Sequence, residues 1–290
     1  MRRTLGCSLL WWCALLGGCA SPGGRQDQAE LRDLVYAMRE GQPLGLDLYR
    51  AGGSRPGPVL VHVHGGGWSR GARPPSSGMF TTWLANGISV VAIDYRLSGQ
   101  AHAPAAVQDV RCALAWIRTN ARHYGLDQRR IVLQGVSAGG HLALLAAFAP
   151  AHAGFDAPGC APTPVAAVLD YYGIADLTTW HPSSRAVQRW IGPRVDSQAY
   201  AWELSPQRHV RTGLPPVFIA HGDEDQTVPL AQSQRLLSAL QREGVAASLQ
   251  TVPGGRHGNF SAAQTAEVDA AALLFLRRQG VLGVEEHIAK

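Results

Sequence analysis

From Leu31 onward, short apolar runs closed by glycine or proline alternate with longer segments whose apolar positions recur at helical spacing. "LVYAMRE" and "LGLDLYR" flank "GQP" and predict an antiparallel hairpin, and "PVLVHVHG" follows as a buried strand. A helix near "GMFTTWLAN", the strand "ISVVAIDY" and the long helix "APAAVQDVRCALAWIRTNARHYG", stopping at Gly125, come next. Then "RIVLQG", a helix after Ser137 and "VAAVLDYYG" complete further βα units. Beyond an irregular stretch rich in Trp, Pro and Arg, "PPVFIAHGDED" and "AASLQTVPG" predict strands around the helix "PLAQSQRLLSALQREG", and "SAAQTAEVDAAALLFLRRQ" predicts a closing helix. An antiparallel start followed by repeated βα units predicts an α/β fold: a mostly parallel eight-stranded sheet with helices on both faces. The irregular stretch, with Asp176, Trp180, Trp190 and Trp202, is expected to form a small cap.

In such sheets ligands gather at the carboxyl ends of strands, so those ends carry the chemical information. "HGGGW" (His64 to Trp68) follows the third run, and "GVSAGG" holds Ser137 after the fifth. "HGDEDQTVP", with Asp225, follows the seventh, and "GGRHGNF", with His257, follows the last. With 33 glycines in the chain, a lone G-x-S-x-G is weak. Its place on a strand-to-helix turn, together with the order Ser, Asp, His, is far more specific.

The motifs "HGGGW", "DYRLSG", "PAAVQDV", "GVSAGGHLA", "DYYGIADL" and "HGDEDQTVP" together resemble those of α/β-hydrolases of the hormone-sensitive-lipase-like esterases, and within them the bacterial acetylxylan/feruloyl esterase-like group. The resemblance runs from about Leu31 to the last helix. It implies an α/β-hydrolase fold and a serine esterase that needs no cofactor. A serine hydroxyl is a poor nucleophile until a histidine takes its proton, and the histidine needs a carboxylate to fix its tautomer. These roles fall to Ser137, His257 and Asp225. Asp223 competes for the last role, but the resemblance aligns the second aspartate of "HGDED" with the family's acid. Backbone N–H groups of Gly66, Gly67 and Ala138 are expected to form the oxyanion hole. Trp68 and Tyr172 are candidate pocket residues, with plain core packing the alternative for each. The chain departs from the family at Gln100, where an acid is usual, and at Ala103, where an aromatic is usual; both are expected near the site rim.

His62 and His64 alternate on one strand face as a metal pair would, yet no Cys or carboxylate cluster accompanies them, so no metal is expected. His141, one turn after Ser137, is expected to be a packed, hydrogen-bonded histidine rather than a second base.

The amino terminus "MRRTLGCSLLWWCALLGGCAS" has two arginines, a short apolar run and small residues, which predicts a signal peptide over residues 1–18. "LGGC" resembles a bacterial lipobox, which makes Cys19 the expected lipidation site; ordinary cleavage near Ala20 is the alternative. Residues 19–30 then form a tether and 31–283 the catalytic domain, at the periplasm or cell surface. Removing residues 1–18 lowers the net charge from +5 to +3, which gives no case for a nucleic-acid partner. Two cysteines remain beyond Cys19, and an oxidising compartment permits a Cys112–Cys160 disulfide without establishing it.

The expected activity is hydrolysis of short-acyl esters, acetyl or feruloyl esters of polysaccharide among them, through an acyl-enzyme on Ser137. Two alternatives stay open: an amide or peptide hydrolase using the same triad, and a catalytically silent binding module on the fold.

Overall fold

The computed structural model describes residues 30–283 apart from 54–55, 152–153 and 181–182. The expected signal peptide, Cys19 and residues 19–29 of the expected tether lie outside the described residues. Glu30, expected to end the tether, instead opens the first strand, where it pairs in register with Tyr49. The strands are β1 (Glu30–Arg39), β2 (Gln42–Tyr49), β3 (Gly57–Val63), β4 (Ser89–Ile93), β5 (Leu126–Val136), β6 (Ala167–Tyr171), β7 (Val217–Gly222) and β8 (Ala247–Val252). They form one sheet in the order β1-β2-β4-β3-β5-β6-β7-β8. β1 and β2 are antiparallel to their neighbours, and every pairing from β4 through β8 is parallel. The hairpin turns at Glu40 and Gly41, so Gln42 and Pro43 of the expected turn belong to β2.

The helices are α1 (Thr81–Ala85), α2 (Ala105–Tyr124), α3 (Ala138–Phe148), α4 (Arg185–Ile191), α5 (Ser197–Glu203), α6 (Ala231–Arg242) and α7 (Ala262–Arg278). Alternation along the strands sorts the core into two layers. Val59, Val61 and Val63 of β3 pack with α2, α3 and α6, while Leu60 points to the opposite face, toward Phe80, Trp83 and α7. α3 is apolar nearly all round and is almost entirely buried, as a helix covered on every side should be. α2 stops at Gly125, which takes the left-handed conformation, as the sequence predicts.

Three local expectations shift. β5 begins at Leu126, because Leu126 pairs with Gly57 and the polar Asp127–Arg130 segment is held by its own ion pair. The helix expected near "GMFTTWLAN" is a 3₁₀ turn, Ser77–Phe80, followed by the short α1. The irregular stretch between β6 and β7 contains α4 and α5, each of seven residues. Two turns are too few for a hydrophobic period to stand out in sequence.

A disulfide joins Cys112 on α2 to Cys160 in the connection before β6. The Arg39 guanidinium lies against it, 2.7 Å from Cys112 Sγ. No described helix is long and apolar enough to cross a membrane.

Candidate active site

Ser137 sits on the turn between β5 and α3 with φ 55° and ψ −122°, a conformation that L residues rarely adopt. Holding a non-glycine residue there costs roughly 1–3 kcal/mol, and the surrounding backbone must impose it. The glycines of the motif make that crowding feasible. A Cβ on Gly135 would stand 2.1 Å from the Gly139 carbonyl oxygen, and one on Gly139 would stand 2.2 Å from that of Val63. The turn therefore presses on β3 and lifts the serine side chain toward the carboxyl edge of the sheet.

Ser137 Oγ lies 2.7 Å from His257 Nε2. On the far side of the ring, His257 Nδ1–H donates to Asp225 Oδ2 at 2.6 Å. The other carboxylate oxygen, Oδ1, accepts the backbone N–H groups of Thr227 and Val228, each at 2.8 Å. Burial pushes the Asp225 carboxyl up. Hydrogen bonds from His221, His257 and the Val228 N–H outweigh it and hold the group well below the usual carboxylate range. Asp225 is thus an ionised acceptor at neutral pH. Asp223, its rival in the motif, accepts the Gly254 N–H instead.

The turn after β3 passes beside the serine. Gly66 and Gly67 take positive φ, and a Cβ on Gly66 would stand 2.0 Å from the Arg70 carbonyl oxygen, so the loop folds tightly on itself. The N–H groups of Gly66, Gly67 and Ala138 find no acceptor among the described residues. Trp68 follows with its ring stacked on Trp190 of α4, centroids 5.1 Å apart, and its indole N–H donating to His141 Nδ1. His141 in turn donates from Nε2 to the Leu204 carbonyl at 2.8 Å, and burial lowers its pKa to about 4. His141 is a neutral bridge between α3, the Trp68 turn and the cap. Tyr172 packs edge-on against the His257 ring at 5.0 Å.

These groups open on a cavity of about 640 Å³ lined by Gly65 to Arg70, Ser137, Ala138, Tyr172, Trp180, Ser183 to Ala186, Arg189, Thr227, Val228, His257 and Gly258 among others. The cap thus contributes α4 and Trp180 to the cavity wall. Asp176 belongs to the scaffold: its carboxylate accepts from Thr178, and its backbone is held by Gln232. Gln100 and Ala103 are not on the cavity wall. Gln100 Oε1 accepts the Leu97 N–H and so closes its own turn, whereas the Ala103 N–H donates to the Trp190 carbonyl and ties that segment to α4.

His62 is buried against Gln134, and burial lowers its pKa to about 4; His64 bonds the Gly65 carbonyl and stacks on Tyr95. Among the described residues no group of three or more His, Cys, Asp or Glu is placed to hold a metal ion.

Two features escaped the sequence reading. His221, the first residue of "HGDEDQTVP", is fully buried and donates from Nε2 to the Val228 carbonyl at 2.8 Å, with Asp225 Oδ2 3.4 Å away. Its Nδ1 accepts from Ser233 at 2.7 Å. It packs the loop that aims Asp225, and its place two residues before the aspartate pair was the available signal. Asp170, at the end of β6, is buried beneath the elbow glycines; one oxygen accepts the Gly173 N–H, and burial raises its pKa to about 7.

An eight-stranded α/β-hydrolase sheet with a serine, histidine and aspartate in hydrogen-bonded series at its carboxyl edge is the architecture of a serine hydrolase. The chain belongs to the BD-FAE family, whose model matches residues 46–240. It is 33% identical over 279 residues to esterase LipQ of Mycobacterium tuberculosis, an alignment covering 88% of this chain and 65% of that protein. It is 30% identical to carboxylesterase NlhH of the same organism, over 73% of this chain and 70% of the relative. The chain spans about two thirds or less of the length of LipQ and of the probable carboxylic ester hydrolase LipM. Among solved structures, a truncated carbohydrate esterase from gut microbiota superposes with a TM-score of 0.77 at 25% identity, covering 89% of this chain and 99% of that one. Apo esterase 2 of Thermogutta terrifontis gives 0.74 at 26% identity, covering 92% of this chain and all of that one.

Proposed function

We propose that the protein is a serine carboxylesterase that hydrolyses short-acyl esters, with acetyl or feruloyl esters of polysaccharide the favoured class. The observation that carries the proposal is the unbroken series from Ser137 Oγ through His257 to Asp225, 2.7 Å and 2.6 Å long, opening on a cavity beside unclaimed backbone N–H groups. His257 Nε2 takes the Ser137 proton as Oγ attacks the ester carbonyl. The Gly66, Gly67 and Ala138 N–H groups receive the charge that develops on the carbonyl oxygen, each donor contributing roughly 10²–10³ in rate. His257 then protonates the leaving alcohol, and an ester bond to Ser137 remains. Water, deprotonated by the same nitrogen, cleaves it and restores the serine. Trp68 and Tyr172 would bound the space open to the acyl and alcohol groups, and their apolar faces suit small or aromatic acyl chains. The named esterases among the relatives support the same reading.

The amino-terminal pattern adds an export proposal: removal of residues 1–18 and lipidation of Cys19, with the catalytic domain tethered to a membrane surface. The Cys112–Cys160 disulfide is consistent with an oxidising compartment.

Hydrolysis of p-nitrophenyl esters from acetate to octanoate, with Ser137→Ala beside the parent, tests the activity. The parent should prefer the shortest chains and the variant should lose turnover. Absence of turnover on every chain length would reject the esterase reading and bring amide substrates or a binding role forward.

A further inference from the structure

Arg70, Arg185 and Arg189 all line the cavity that holds Ser137, and no Asp or Glu lines it among the described residues. Among the described residues none of the three makes an ion pair or side-chain hydrogen bond, although other arginines around the site are paired. On the same cap, Arg194 is held by Asp196 and Arg208 by Glu203; next to His257, Arg256 faces Glu224.

Two of the three share α4, where the helix dipole favours Arg189 in the last turn but not Arg185 in the first. Arg185 opens α4, where the helix dipole favours an acid, and α4 carries no acid in its first turn. Arg189 is its i+4 neighbour, so two like charges share one face of a seven-residue helix. That face adjoins the loop beside the nucleophile: Ala186, between the two arginines, lies 3.8 Å from where a Gly67 Cβ would stand. Arg70 closes the other side, its Cγ 3.2 Å from the Gly66 Cβ position. All three are exposed residues around one cleft; arginines grouped in this way raise the local concentration of anions, and the planar fork of a guanidinium matches a carboxylate.

From this we infer that the ester substrate carries a negative charge, a carboxylate removed from the reacting bond, and that Arg70, Arg185 and Arg189 form its subsite. The inference rests on the esterase reading and narrows its substrate class to acidic esters. The carboxylate can sit on the alcohol, as in an acetylated uronate of a glycan, or at the far end of the acyl chain.

The experiment compares kcat/KM for two matched pairs: acetylated methyl galacturonoside against acetylated methyl galactoside, and naphthyl hemiglutarate against naphthyl valerate. At about 0.01 M ionic strength the charged member of at least one pair should be preferred by about tenfold, and screening should shrink that preference severalfold near 1 M. A preference in the first pair places the charge on the alcohol; one in the second places it on the acyl chain. In R70Q/R185Q/R189Q the ratio within the preferred pair should fall to near unity, whereas R194Q should keep it. Hydrolysis with no preference in either pair, or a preference that survives the triple substitution, overturns the inference and leaves the esterase reading intact.

If the parent hydrolyses neither pair, the esterase reading fails instead, and calorimetric titration of S137A with the charged and neutral glycosides still decides the subsite. Tighter binding of the uronate that is lost in S137A/R70Q/R185Q/R189Q supports it, and equal binding of the two overturns it.

Discussion

Asp225→Asn isolates the role of the carboxylate, because the local geometry dictates how the amide must sit. In the parent, Oδ1 accepts two backbone N–H groups, from Thr227 and Val228, each at 2.8 Å. An asparagine must keep its carbonyl oxygen there, since an NH₂ would face two donors and leave both without a partner. The amide nitrogen then takes the position of Oδ2, 2.6 Å from His257 Nδ1. It donates where the carboxylate accepted, so Nδ1 must become the acceptor and the ring proton moves to Nε2. That nitrogen would then donate toward Ser137 Oγ at 2.7 Å instead of accepting its proton. The nucleophile loses its base while the fold, the cavity and the N–H donors stay in place. A triad with the wrong tautomer loses roughly 10⁴ in kcat, about 5 kcal/mol of barrier. Initial rates of p-nitrophenyl acetate hydrolysis, with circular dichroism to verify folding, provide the assay. Asp223→Asn is the control, because among the described residues Asp223 accepts only the exposed Gly254 N–H, and its rate should stay within a few-fold of the parent. A folded D225N protein within tenfold of the parent would refute the tautomer argument.

Gly139→Ala should yield insoluble protein or a loss of more than about 4 kcal/mol in urea unfolding, since its Cβ would stand 2.2 Å from the Val63 oxygen and 2.4 Å from that of His64. Replacing Cys112 and Cys160 together by serine should lower stability by up to about 4 kcal/mol, the chain-entropy value for a crosslink across a separation of 48 residues; equal denaturation midpoints for parent and variant would count against it. For Asp170, burial raises the folded pKa from 3.8 to about 7, so the folded protein keeps a proton that the unfolded chain releases. Its contribution is intact below about pH 4 and is lost as pH rises through about 7. Asp170→Asn removes that loss, so its stability relative to the parent should improve between acidic and mildly basic pH, and a pH-independent difference in urea midpoints would reject this.

The mostly parallel sheet and the Ser, Asp, His series were legible because each catalytic candidate follows a strand-like run whose exit is marked by glycine. Ser137, Asp225 and His257 come from loops separated by dozens of residues, yet parallel βα topology brings all strand exits to one edge. The cap was not legible. Its helices span two turns each, and what holds them is tertiary: Trp190 on Trp68, and the Ala103 N–H on the Trp190 carbonyl. The same limit hid the Arg70, Arg185 and Arg189 cluster, since convergence of residue 70 with residues 185 and 189 follows only once the cap folds over the Trp68 turn. It also misplaced Gln100, which closes its own turn, and Ala103, which holds Trp190 of the cap; neither lines the cavity. The disulfide fell between these cases: the expected oxidising compartment permitted it, and only the docking of the loop before β6 against α2 brought the sulfurs together.

The proposed reaction passes through a covalent acyl intermediate on Ser137. Acid quenching of the protein during turnover of p-nitrophenyl acetate, followed by peptide mass spectrometry, would capture that intermediate. An acetyl group is expected on the peptide bearing Ser137, localised to that side chain and missing from Ser137→Ala. Sustained turnover with no acetyl group trapped on Ser137, or with the group on another residue in the parent protein, would contradict it.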